Sequence, residues 1–558
     1  MTIASEITAL QTNLQAAKDA VIAKGGTVGD TGLAGLAAEI QTIPNGGGSN
    51  EPSNGGHITG YDNTTGVITG DGFGTTAGTV YLLDRNTNSY VAQPTSSWSD
   101  TSITLTNTID TSSIEGTTSL SVVDSKGQWA TKWLITGGIA VAGWGKVYVQ
   151  DPATRVIRSI ALSSQSDFNQ LFSSDANKPS EKSTINGDAF YRDEIVGFQF
   201  GADTTAGALN RGSSYCFLSY ATNLNQPFVM PSTIDSISGR FGYYWSNFNQ
   251  PLVISENVTV VPDYFLACMW SFNQPTDLSH IVTIGNYCLQ ESTAFDQDID
   301  LSSATTIGNS FLAGYIYQTY IHVINTFNGD IKLSDSLTSI GTNFLANNAR
   351  FNREIKFPAS LSSIGNYFLY ECDALNKPVD LSSTAITQIP NYFMSYCSAF
   401  DSQLTLPNVT SIGNYFLYYG YRFNKALSIP STVTTIGDYF MAVCDAFNHP
   451  FIVPEGVTTI GTNFLSMDYA LNNKVTLPST LTSVGNSLLY NSCSVDSVEI
   501  NTTTVPSSNT GNMLATIYYS SKMYDKGITL TGTGATAWKA GLANKTSSPY
   551  RKLIDGTV

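Results

Sequence analysis

An aromatic or leucine residue followed by asparagine or aspartate returns throughout the second half of the chain: Leu224-Asn225, Phe248-Asn249, Phe272-Asn273, Phe295-Asp296, Phe327-Asn328, Phe351-Asn352, Leu375-Asn376, Phe400-Asp401, Phe423-Asn424, Phe447-Asn448 and Leu471-Asn472. The steps are 24, 24, 23, 32, 24, 24, 25, 23, 24 and 24 residues. A second column, mostly Ile-Gly-(Asn/Asp/Thr)-(Tyr/Asn)-Phe-Leu, keeps the same step. It puts glycine or its substitute at Gly239, Pro262, Gly285, Gly308, Gly341, Gly365, Pro390, Gly413, Gly437, Gly461 and Gly485. Two independent columns on one period mark stacked units. A unit of this length cannot bury its apolar edge alone, so each must form one coil of a solenoid whose stability is collective.

Within the coil from Ala426 to Met441, Leu427 and Ile429 alternate as an inward-facing strand would, and Val433, Ile436, Phe440 and Met441 turn to the same core. Pro430 and Gly437 mark its corners. The asparagine column has a structural use: a short carboxamide once per coil can bond the neighbouring coil's turn backbone. The tyrosine column (Tyr264, Tyr287, Tyr367, Tyr392, Tyr415, Tyr439) is expected to lie over the coil edges. The period falls in the leucine-rich window of roughly 20–29 residues. Leu477-Pro478-Ser479-Thr480-Leu481-Thr482-Ser483-Val484-Gly485-Asn486 and Phe272-Asn273-Gln274-Pro275 resemble the BspA-type leucine-rich repeats of bacterial surfaces and a related lipoprotein repeat. The resemblance covers roughly residues 211 to 500 and implies adhesion or recognition at a surface, without a transferable active site.

The first half reads as separate modules, giving a multidomain chain. Ile3, Ile7, Leu10, Leu14, Ala17 and Val21 form a heptad seam stopped by Gly25-Gly26, so residues 1–44 are expected to be a helical coiled-coil anchor that self-associates. The alternative is an amphipathic helix packed on its own chain. Residues 45–56 are a Gly/Ser/Asn linker. Residues 57–138 show short alternating runs (66–74, 79–82, 102–105, 120–124) expected to make a β-sandwich. The stretch Ile68-Thr69-Gly70-Asp71-Gly72-Phe73-Gly74, the Trp98 to Ile103 edge and Leu120-Ser121-Val122-Val123-Asp124 resemble the immunoglobulin-like IPT/TIG family. Residues 139–210, with a β segment at 146–149 and a helix near 166–172, are expected to cap the first coil; the alternative is a separate domain. The leucine-rich-repeat solenoid should then occupy 211–500, and 501–558 should close it, with Trp538 over the last coil.

A formal net charge of −16, with 13% charged residues and no basic run, argues against nucleic acid as a partner. No Asp-x-Asp-x-Asp-Gly loop, His-x-x-x-His, Cys-x-x-Cys, Gly-x-Ser-x-Gly, phosphate loop or dinucleotide fingerprint is present, so no metal, cofactor or catalytic residue is expected. The expectation is a protein that is not an enzyme. Neither a signal peptide nor a membrane-spanning stretch is read in the sequence. The seven cysteines, at most one to a coil, look like core-filling thiols suited to a reducing cytoplasm.

Binding is sought where the period breaks. Nineteen residues separate Gly308 from Phe327, against ten from Gly413 to Phe423, so about nine are inserted near 313–323. The insertion carries Tyr315, Tyr317, Tyr320 and His322, and tyrosine offers a rigid face with one polar tip. Trp245 and Trp270, just before the Phe-Asn column, are further candidates for an aromatic strip; both sets have a packing alternative. The blocks Asn13 to Lys18, Ile22 to Val28 and Leu36 to Ile40 resemble the leader of phage tail and fibre proteins. That resemblance implies a virion-surface protein made in host cytoplasm: a fibre, decoration or receptor-binding protein. It would dock on other virion proteins through its N-terminus, form a dimer or trimer, and meet host surface glycan or protein. A purely structural virion role and a polysaccharide depolymerase are the alternatives, as is a bacterial cell-surface location.

Overall fold

The computed structural model describes residues 57–84, 89–109, 117–125, 129–135, 141–173, 182–213, 215–317, 321–323, 325–492, 494–495, 497–502, 528–543 and 553–555. The expected anchor over 1–44, its seam at Ile3, Ile7, Leu10, Leu14 and Val21, and the linker lie outside these residues. The two α-helices among the described residues are short, Gln165–Asn169 and Ala535–Ala543.

Eight antiparallel strands open the described chain: β1 His57–Asp62, β2 Val67–Asp71, β3 Thr79–Asp84, β4 Ser89–Gln93, β5 Thr95–Trp98, β6 Ser102–Leu105, β7 Thr117–Val123 and β8 Trp129–Ile135. They make two four-stranded sheets, β1-β2-β6-β5 and β4-β3-β7-β8. Alternation turns Ile58, Ile68, Ile103 and Leu105 of the first sheet and Val80, Leu120 and Val122 of the second into one core, with Phe73 among them. The two sheets thus share one core among the described residues of 57–135.

From Val147 onward a single apolar core runs without a break to Trp538. The segment expected as a cap contributes directly to it. Strands Gly145–Gln150, Ile157–Leu162 and Ile195–Phe200 form one antiparallel sheet. Phe168 of the first helix packs on Phe217 of the first coil at 5.3 Å. Ser164 caps that helix with a reciprocal Ser164–Asp167 pair.

The solenoid stacks coils of about 24 residues in about eleven turns. Two five-stranded parallel sheets are formed by these coils, one with Ile284, Ile307, Ile340 and Ile364 in register and the next with Ile389, Ile412, Ile436, Ile460 and Val484. Val433, Ile436, Phe440 and Met441 are all fully buried, as the pattern requires. Leu427 and Ile429 also point inward, but no strand forms there, which corrects the expectation for that segment. Its neighbours Leu404–Thr405 and Phe451–Ile452 pair with other coils instead.

Glycine marks the corner because successive coils approach too closely for a side chain. A Cβ on Gly437 would lie 2.4 Å from Asn414 Oδ1, and one on Gly485 2.4 Å from the Gly461 carbonyl carbon. A separate five-stranded parallel sheet, built on Phe451–Ile452, Val475–Leu477 and Ser497–Ile500, continues through Ile528–Thr531 and Leu553–Asp555, and Trp538 is buried in the same core.

Candidate binding surface

After the glycine corner each coil alternates left- and right-handed residues. In one coil Tyr439, Met441 and Val443 have φ of 56°, 49° and 63°. Their amides donate alternately forward and back: Tyr439 to Thr462 O, Met441 to Phe416 O, Val443 to Ser466 O, at 2.7–2.8 Å. Each left-handed residue costs about 1 kcal/mol, and an inter-coil hydrogen bond returns a similar amount. The alternation sends Phe440 and Met441 into the core and leaves Tyr439 half-exposed.

Repetition builds a tyrosine face. Tyr367, Tyr392, Tyr415 and Tyr439 stack ring on ring with centroids 4.4, 4.4 and 4.7 Å apart. In a second rank, Tyr370 and Tyr418 stand edge-on to Tyr367 and Tyr415 of the first, Tyr396 stands edge-on to both Tyr370 and Tyr418, and Tyr419 stacks on Tyr396 at 4.8 Å. Burial raises the hydroxyls of Tyr392, Tyr396 and Tyr415 above the ordinary range, so the face presents neutral phenols. A smaller group lies near the other end. Tyr264 stacks on Tyr287 at 4.4 Å, Tyr220 on Tyr244 at 4.8 Å, and the Arg240 guanidinium covers Tyr264 at 4.5 Å. Burial pushes the Tyr244 hydroxyl up to about 12.

Stacking hides ring faces and leaves edges and hydroxyls outward. Broadly exposed rings beside this face are Trp270, Tyr421 and Tyr469, at 49%, 41% and 44% exposure. Trp270 stands edge-on to Tyr244 at 5.9 Å. Trp245 does not belong to a surface strip: it is fully buried, packed on Phe228, Phe241 and Phe248, with Nε1 donating to Leu218 O at 2.8 Å. The packing alternative holds for this residue.

Between the two tyrosine groups the column is broken by Ser310 and Asn343. Here the insertion leaves the solenoid as a two-stranded hairpin, Tyr315–Tyr317 against Ile321–Val323, with Ile316 opposite His322. Tyr320 lies outside the described residues. The insertion thus pairs with itself as a hairpin where the tyrosine column is broken.

The asparagine column does what its spacing suggested. Asn249, Asn273, Asp296, Asn352, Asn376, Asp401, Asn424, Asn448 and Asn472 each donate their backbone N–H to the side-chain Oδ1 of the preceding coil at 2.8–3.0 Å. A parallel ladder went unread in the sequence: Asn309, Asn391, Asn414 and Asp438, after the glycine corner, make the same bond to the coil before.

A third column, also unread, explains the cysteines. The left-handed leucine of each coil directs its carbonyl at the coil that follows, and a buried side chain there donates to it. Trp245 serves Leu218, Ser292 serves Leu266, and Asn348 serves Leu312. Cys372, Cys397 and Cys444 serve Leu345, Leu369 and Leu417 at 3.3, 3.0 and 3.3 Å, and Ser492 serves Leu465. Six buried cysteines are free thiols; burial pushes Cys397 up to about 12 and Cys372 and Cys444 well above their ordinary value, which makes them unreactive. Among the described residues no three His, Cys, Asp or Glu side chains gather closely enough to hold a metal ion, and no helix is long and apolar enough to cross a membrane.

Coils of this period, closed by two caps and faced with tyrosine, define a leucine-rich-repeat solenoid protein. The BspA-type leucine-rich repeat region matches residues 210–329, 325–448 and 402–510, more than half of the chain, and the chain belongs to that family. Among solved structures it is similar to a leucine-rich repeat protein from Bacteroides ovatus, at 13% identity and a TM-score of 0.30 over 56% of this chain and 90% of that one. It is also similar to the pneumococcal vaccine antigen PcpA, at 12% identity and a TM-score of 0.31 over 68% of this chain and all of that one. No curated protein matches it.

Proposed function

We propose that the chain is a non-enzymatic recognition protein whose solenoid is held out to adhere to glycan or protein on a host cell. The supporting observation is the tyrosine face: rigid, nearly uncharged and backed by a continuous core, with Trp270, Tyr421 and Tyr469 offering free ring area beside it. Rigid aromatic side chains give contact area at little entropic cost, which suits recognition more than catalysis.

The finer reading places it on a virion as a fibre, decoration or receptor-binding protein. The leader-like N-terminal blocks would dock it on other virion proteins and gather it as a dimer or trimer, and an IPT/TIG-like sandwich would act as the spacer. Several copies would then turn weak sites into avid attachment. Binding of the full chain to intact candidate host cells tests this. Saturable binding is expected, reduced by Trp270→Ala combined with Tyr421→Ala and Tyr469→Ala. A second variant, alanine at Tyr315, Tyr317 and Tyr320, reports on the hairpin. A chain that binds no host cell, but is found buried against neighbours in an assembled particle, would favour the structural virion role instead.

A further inference from the structure

Tyr421, Asp445 and Tyr469 occupy one station on three successive coils. Backbone bonds set that register: the amide of Ala446 donates to Tyr421 O at 3.1 Å, and that of Ala470 to Asp445 O at 3.2 Å. Neighbouring strands lie about 4.8 Å apart, so the two tyrosines stand about 10 Å from one another with the carboxylate between them. Both rings are held yet open to solvent. Tyr421 meets Tyr419 edge-on at 5.4 Å, and the Tyr469 hydroxyl accepts from Asn491 Nδ2 at 3.2 Å.

Asp445 is the unusual member. Its Oδ1 is buried and accepts no hydrogen bond, and burial pushes its carboxyl above the ordinary range. Burial raises the Tyr421 hydroxyl above its ordinary value, and the charges of Tyr419 and Asp445 add to that. None of the ion pairs among the described residues uses Asp445, although Arg422 follows Tyr421 in the chain. The protein therefore spends burial on a carboxylate oxygen and supplies no partner for it.

We propose that Tyr421, Asp445 and Tyr469 form a binding site for an organic ammonium group. A neutral ligand would leave the carboxylate charge and the electron-rich ring faces unanswered. A cation answers both. It pairs with the carboxylate in a charge-assisted contact. Seated over Asp445 it lies about 5 Å from each ring, inside the reach of about 6 Å for cation–π attraction. The net charge of −16 draws cations toward this surface as well. An amino sugar of a surface glycan and a lysine of a surface protein share this chemistry. The site deepens the adhesion reading and rests on it for its biological setting.

The test is a saturation-transfer NMR titration of the full chain with tert-butylammonium, set against tert-butanol as the neutral isostere. Saturable binding of the cation is expected, weakened about tenfold in Asp445→Asn and about threefold in Tyr421→Ala or Tyr469→Ala. Tyr421→Phe keeps the ring face and should retain it. An equal response to the isostere overturns the site, as does undiminished binding in an Asp445→Asn protein that melts like wild type. Competition by a glucosamine oligomer and its N-acetylated form, and by a lysine peptide and its acetyl-lysine form, separates the two sources. Failure of both free amines to compete also overturns the site. If wild type and Asp445→Asn adhere to host cells equally and neither takes up the cation, adhesion stands and this site falls. If the chain binds the cation and adheres to no cell, the adhesion reading falls and the site stands.

Discussion

In the column of buried donors, Asp468 stands where Cys444 stands one coil earlier and Ser492 one coil later. Its Oδ1 accepts the Cys444 amide at 2.7 Å, while Oδ2 is buried with no hydrogen bond. Burial holds the carboxyl well above the ordinary range, and the charge of nearby Asp445 adds to it. The station calls for a donor to the Met441 carbonyl, and an aspartate supplies one only when protonated. A folded value raised above the unfolded one means that this stability is fully present below about pH 4 and is lost as pH climbs through the folded value. Asp468→Asn supplies a donor at every pH, so thermal unfolding should show wild type losing ground to it from acid toward alkaline pH. Parallel curves would show that Asp468 does not titrate as argued. Asp468→Leu removes the donor and should cost about 1–3 kcal/mol at acid pH, with the difference from wild type shrinking as pH rises. By the same logic Cys397→Ser should be nearly neutral, and Cys397→Ala should cost about 1 kcal/mol in denaturant melts.

At the scale of the coil, the side-chain ladders hold turn backbone that no sheet reaches. Asn424 Oδ1 accepts the Asn448 amide at 3.0 Å, so Asn424→Leu strands that donor and should lower stability by about 1–3 kcal/mol in urea unfolding, while binding to cells is unchanged. Gly437→Ala forces a methyl against Asn414 and should cost a similar amount, about 1–3 kcal/mol. Both positions were legible in the sequence because each recurs at the period, and so were the buried Val433, Ile436, Phe440 and Met441. The left-handed arm was not legible. Local signals for positive φ are glycine and asparagine, and Tyr439, Met441 and Val443 are neither; neighbouring coils impose that conformation. The donor column escaped for a related reason, since Trp245, Ser292, Asn348 and Cys372 share a role but no residue type. Trp245 accordingly reads in the sequence as either surface strip or corner packing, and it is core. The trio of Tyr421, Asp445 and Tyr469 lies in a column with no constant residue, so only the register of the coils brings it together.

Across the whole molecule one core joins the entry sheet, every coil and the closing helix, so the ends decide how firmly the array is held. Trp538 is fully buried at the far end, although its Nε1 finds no hydrogen-bond partner. Its retention there rests on covering apolar surface of the last coil, not on polar satisfaction. Trp538→Ala should therefore cost about 3–5 kcal/mol locally. Because each coil leans only on its neighbours, the loss should spread inward from the C-terminal side instead of melting the array at once. Native-state hydrogen exchange of the variant should show amides around Leu477 and Ile500 losing protection first, those around Ile436 later, and the β-sandwich, with its separate core, not at all. A uniform loss of protection would mean that the solenoid folds as one cooperative block, and that the cap matters no more than any interior residue of the same size.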